Sequence, residues 1–122
     1  MFDPVPNVDR QDVLRIVRRD FSAADQEQAL AVLEKYRGTP EPFRVHMAAL
    51  KLSGGNLDKL REAIDFANVD FRDVLAPAEY PKFWEVGFVG VDELTPRQRR
   101  ELQEDDWQQY QAWLSQTEAQ GD

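Results

Sequence analysis

The chain has 122 residues, with 23 acidic against 15 basic side chains and a formal charge of −8. One domain is expected, since a chain split into two cores of about 60 residues each would bury too little surface per core. The acidic balance argues against binding nucleic acid or an anionic membrane, because both are met with basic surface. The absence of cysteine excludes a disulfide framework, a thiolate nucleophile and a cysteine metal site.

The first eight residues, MFDPVPNV, contain two prolines and no basic segment leading into an apolar one. No run of about 18 apolar residues that would span a bilayer follows. A cytoplasmic address is the plain expectation. The dominant period thereafter is helical. Asp9 or Asn7 caps a first helix running to about Asp20, with Val13, Leu14, Ile16, Val17 and Phe21 on its apolar side. Ser22 opens a second helix in a weak capping box with Asp25, carrying Ala29, Leu30, Val32, Leu33 and Tyr36, and Gly38 ends it. Thr39 caps a third with Pro40 at its first position, and Pro42 still falls inside the first turn.

Phe43, Met47 and Leu50, flanked by Val45, Ala48, Ala49 and Leu52, make this third helix apolar around much of its girth, so it belongs at the centre. Gly54-Gly55 stops it, Asn56 caps a fourth, and the short connection makes the two an αα-hairpin. Leu57, Leu60, Ile64 and Ala67 form the cleanest apolar stripe in the chain. Asp70 starts a short fifth helix that is expected to stop near Ala76, because Pro77 follows. Residues 77–94 read as an aromatic-rich loop: Pro77, Pro81, Gly87 and Gly90 break any long period, and Val86–Val91 fits at most a short extended piece. Thr95-Pro96-Arg97-Gln98 then signals a last helix to about Gln116, with Trp107, Tyr110, Trp113 and Leu114 on one side.

The expected fold is therefore all-α, a compact bundle of five or six helices with one aromatic-rich loop. It occupies residues 1–116, and 117–122 form a frayed polar tail. The recurrence of helices every 17 residues or so raises a short α-solenoid as the alternative, although no residue-level repeat accompanies it.

The block from Arg44 to Pro81 reads RVHMAALKLSGGNLDKLREAIDFANVDFRDVLAPAEYP. It resembles a family of small bacterial helical proteins built on A-A-L-K-L-x-x-G-x-L-x-x-L, then D-[aromatic]-R-D-[V/L]-L and A-E-[aromatic]-P. The matching positions are Ala48 to Leu52, Gly55, Leu57, Leu60, Asp70 to Leu75 and Glu79 to Pro81. The resemblance implies a compact bacterial helical protein and carries no activity, ligand or cofactor. Some small acidic bacterial proteins of this look neutralise toxins, which makes an immunity-like role an analogy.

No nucleophile elbow, phosphate-cradling glycine loop or H-E-x-x-H occurs. The single histidine, His46, lies among apolar neighbours and reads as structural or surface. The densest acidic cluster, Glu101, Glu104, Asp105 and Asp106, reads as a solvated helix face, so neither a metal nor another cofactor is expected. Arg15, Arg18 and Arg19 of the first helix are expected to pair with acids of the same molecule.

Charge is divided along the chain: residues 1–52 hold 8 basic and 8 acidic side chains, while 53–122 hold 7 and 15. Asp58, Glu62 and Asp65 recur at spacings of 4 and 3 on the side opposite the Leu57–Ala67 stripe, and Asp70 and Asp73 follow. Tyr80, Phe83, Trp84 and Phe88 of the aromatic loop serve either as interface anchors or as a cover over the core. Asp58, Glu62, Asp65, Asp70, Asp73, Tyr80, Phe83 and Trp84 are thus the candidate surface for a basic protein partner. The leading expectation is a non-catalytic protein-binding module. A homo-oligomeric structural protein is the second reading, and an enzyme using carboxylates such as Glu79 or Asp73 is the third.

Overall fold

A computed structural model describes residues 6–38 and 41–116, and Phe88 and Val89 through their backbone alone. The expected cap at Thr39, the Pro40 helix start and the tail 117–122 lie outside the described residues. So do residues 1–5 and the side chain of Phe88.

Among the described residues the chain is all-helical and without strands. Its helices are α1 (Arg10–Asp20), α2 (Ala23–Leu33), α3 (Pro42–Ser53), α4 (Leu57–Val69), α5 (Arg72–Glu79), α6 (Pro81–Asp92) and α7 (Pro96–Ser115). That makes seven rather than five or six, and α6 is itself broken at Gly87, whose φ is 80°. The core is one cluster in which α3 contributes Val45, Met47, Ala48, Ala49 and Leu50. It meets Ile16 and Val17 of α1, Leu33 of α2, Leu60 and Ile64 of α4, Val74 and Leu75 of α5, and Tyr110 of α7. α3 packs on α1, α4 and α5, and α7 returns to α5. A solenoid, where each unit touches only its neighbours in sequence, keeps its ends apart, whereas here the first helix meets the last: Arg15 and Arg19 of α1 bond to the Leu114 and Trp113 carbonyls of α7.

Local chemistry accounts for most helix ends. Asp9 accepts from the Asp12 N–H at 3.0 Å while Asp12 reaches back to the Asp9 N–H, a reciprocal box that starts α1. Asn56 accepts from the Lys59 N–H at 3.0 Å, and Thr95 forms a box with Gln98. Two starts differ from expectation. The Ser22 side chain makes no capping bond, and α3 begins at Pro42, preceded by Glu41 in the left-handed region at φ 43°. Gly54 and Gly55 close the hairpin, and at Gly55 (φ +84°) a Cβ would stand 2.6 Å from the Asp20 carbonyl oxygen. Only glycine lets the hairpin approach the end of α1 this closely.

Residues 77–92 correct the sequence reading. Pro77 lies inside α5, and what was expected to be a loop with an extended piece at Val86–Val91 is helix. Pro81 takes the first position of α6, where no N–H is needed. The next two amides are satisfied from another helix: Asp106 accepts from the N–H of Lys82 at 2.8 Å and of Phe83 at 3.0 Å. Asp106 is 2% exposed, so this member of the acidic cluster is a cap in trans rather than part of a solvated face.

The arginines of α1 also behave unexpectedly. Arg15 donates to the Leu114 carbonyl at 2.8 Å, and Arg19 donates to the carbonyls of Trp113 at 2.7 Å and Gln116 at 3.0 Å. They satisfy the orphan carbonyls at the end of α7, where the helix dipole is negative. Arg19 also lies 5.0 Å over the Trp113 ring and pairs with Asp20 at 2.7 Å, an acid as expected.

Candidate functional site

Once Asn56 has started α4, the apolar stripe of that helix turns inward. Leu60, Ala63, Ile64 and Ala67 are buried. Period 3.6 then sends positions 58, 62, 65 and 69, at spacings of 4, 3 and 4, to the opposite side. Asp58, Glu62 and Asp65 are exposed there together, as the spacing predicts. Asp58 takes a bond from Arg61 at 2.9 Å, an exposed pair that contributes little stability.

Two residues absent from the sequence reading complete this surface. Val69 is 84% exposed in line with the acids, and Phe66, 54% exposed, flanks them. The signal was present: both are large apolar residues lying off the buried stripe of an amphipathic helix. Two exposed apolar side chains thus stand beside a row of carboxylates.

Asp70 and Asp73 join this surface unequally. The Asp70 carboxylate accepts from the Arg72 N–H at 3.0 Å and from its guanidinium at 2.9 and 3.0 Å. Those bonds hold its pKa below the usual aspartate value and tie Asp70 into the α4–α5 turn. Asp73 stays exposed in the first turn of α5.

The aromatic residues form a separate group on α6, which packs on α5 and α7. Phe83 is buried, with the Tyr80 ring edge-on at 5.9 Å, while Trp84 is 53% and Val86 41% exposed. The alternatives of anchor and core cover are thus divided between neighbours: Phe83 covers the core and Trp84 faces out.

Arg44, Glu79 and His46 have structural partners. Arg44 of α3 donates to both Glu79 oxygens at 2.6 and 2.8 Å, with the Glu79 side chain 4% exposed. Burial pushes the Glu79 carboxyl up and the Arg44 guanidinium pulls it back, burial being the larger effect. Gln109 of α7 donates to the Ala78 and Glu79 carbonyls, so the end of α5 is held from two sides. Asp73 does not meet Glu79, one being exposed and the other enclosed. His46 stands edge-on to the rings of Tyr36 at 6.2 Å and Phe43 at 6.1 Å and is hydrogen-bonded to the Leu33 backbone. No three His, Asp or Glu side chains converge into a metal-binding group among the described residues. Comparison with protein-family models, with curated proteins and with solved structures finds no match to this chain.

Proposed function

We propose that this chain is a non-catalytic protein-binding module, working in the cytoplasm, that takes a basic partner on the outer face of α4. The observation that carries the reading is the exposure of Phe66 and Val69 beside Asp58, Glu62 and Asp65. Covering the two apolar side chains would contribute about 2 kcal/mol each. The carboxylates would steer a basic surface toward them and reject an acidic one. Neutralisation of a basic toxin is one activity of this kind. Among the described residues no helix is long and apolar enough to cross a membrane, and the chain has no cysteine, in keeping with that compartment.

The test uses the full chain to capture proteins from its host at low and at high salt, beside a Phe66→Ser, Val69→Ser variant. Support is a strongly basic protein, held in a fixed ratio at low salt, weakened by high salt and lost with the variant. No partner at either salt, or one that the variant holds equally well, overturns the reading.

Exposure of Trp84 and Val86 on α6 favours self-association as a second reading. Light scattering at high protein concentration decides it, and a clean monomer removes it.

A further inference from the structure

A second surface feature shares no residue with the acidic face of α4. Helices α1 and α2 are joined through residues 21 and 22 and pack on one another, and an open groove of about 410 Å³ lies between them. Its size falls within the range of pockets that hold small organic molecules, about 300–1,000 Å³.

Three observations give the groove chemical character. First, its floor is apolar and only partly covered. Leu14 and Leu30 line it and are half-buried, whereas Val13, Ile16 and Val17 of α1 belong to the core. Second, its two walls carry opposite charges: Arg18 lines it from α1 and Glu27 from α2, and both are exposed. Arg18 was expected to pair with an acid of the same molecule, yet neither it nor Glu27 makes an ion pair among the described residues. Third, the turn that sets the walls is held. Gln26, part of the lining, donates to the Phe21 carbonyl at 3.1 Å, and the Phe21 N–H donates to the Val17 carbonyl at 3.0 Å.

The order along the chain arranges these groups. Leu14 and Arg18 are four residues apart on α1, and Glu27 and Leu30 three apart on α2, so each pair shares one helix face. In each helix the charged residue is the nearer of the two to the connecting turn. Both charges therefore stand toward one end of the groove and both leucines toward the other.

We propose that this groove binds a free α-amino acid with an apolar side chain. The guanidinium of Arg18 is a fork that matches the two oxygens of the ligand's carboxylate. The Glu27 carboxylate accepts from its ammonium, and the side chain lies along Leu14 and Leu30, where it leaves water. A zwitterion satisfies both walls at once. A simple anion leaves Glu27 facing a like charge, and a simple cation does the same to Arg18.

The experiment is an NMR titration of the isotope-labelled full chain with L-leucine and three truncated analogues. These are 4-methylpentanoate, which lacks the ammonium, 3-methylbutylamine, which lacks the carboxylate, and glycine, which lacks the apolar side chain. Leucine should shift the backbone amides of Val17, Arg18, Gln26 and Glu27 in a saturable way. Each singly charged analogue should bind about fivefold more weakly, as expected of one exposed ion pair, and glycine should also be weaker. Arg18→Gln and Glu27→Gln, surface substitutions that keep the fold, should each weaken leucine by a similar factor. Arg18→Gln should also abolish the preference for leucine over 3-methylbutylamine, and Glu27→Gln the preference over 4-methylpentanoate. Absence of localised shifts overturns the proposal, as does any analogue that binds as tightly as leucine. Full affinity retained by both variants overturns it too. The Phe66→Ser, Val69→Ser variant changes no residue of the groove and should bind leucine as the wild type does, so this result is separate from the fate of the α4 surface.

Discussion

His46 shows how one side chain couples the core to pH. Its ring is flanked by Tyr36 and Phe43, and burial lowers its pKa, with the hydrogen bond to the Leu33 backbone acting against that shift. The unfolded chain, with an imidazole near the ordinary value of about 6.5, therefore takes up this proton first as pH falls. The contribution of His46 is present above that value and is lost as pH falls through it toward the lower folded value. Urea midpoints from pH 8 to pH 5 should decline less steeply in His46→Gln than in the wild type. Burial raises the carboxyls of Glu79 and Asp106 in both proteins, so their opposite contribution cancels in the comparison. Identical slopes would refute the assignment. That His46 packs among apolar side chains was legible in its neighbours in sequence. Its contact with Tyr36 was not, because it depends on how α2 ends beside α3.

At the scale of elements, α6 depends on its neighbour. It starts at a proline, and no side chain of its own cap residue Tyr80 satisfies an amide, so the buried carboxylate of Asp106 does so. Asp106→Ala should cost about 1–2 kcal/mol of global stability, the usual cost of losing a cap. Hydrogen exchange should quicken first at the Lys82 and Phe83 amides, and unchanged protection there would contradict the role. This bond also explains the misreading of residues 77–94. Pro77, Pro81 and Gly87 are strong local signals for a loop, whereas the forces that make the segment helical come from α7, 24 residues away in the case of Lys82. Helices α1, α4 and α7 were read correctly because Asp9, Asn56 and Thr95 carry their caps within three residues in sequence.

For the molecule as a whole, the exposed charge of α4 is expected to add little to stability. Glu62 and Asp65 are exposed and make no ion pair among the described residues. Glu62→Lys with Asp65→Lys should leave the urea midpoint within the equivalent of about 0.5 kcal/mol, as expected of surface substitutions. The same change should slow association with a basic partner and reverse the sense of its salt dependence. Loss of stability without loss of association would show that these acids serve the fold instead.

The sequence alone determined the helical class, the central place of residues 43–52, the shared outer face of Asp58, Glu62 and Asp65, and the concentration of net charge after residue 52. These follow from periodicity and from capping within a single turn, which short stretches of chain encode. Tertiary structure decided the rest. It turned Asp106 inward and closed Glu79 onto Arg44. It set Arg15 and Arg19 on the carbonyls of α7, left Phe66 and Val69 uncovered, and opened a groove between α1 and α2. Each of these depends on which helices meet, and that is a property of the packed core rather than of any one segment.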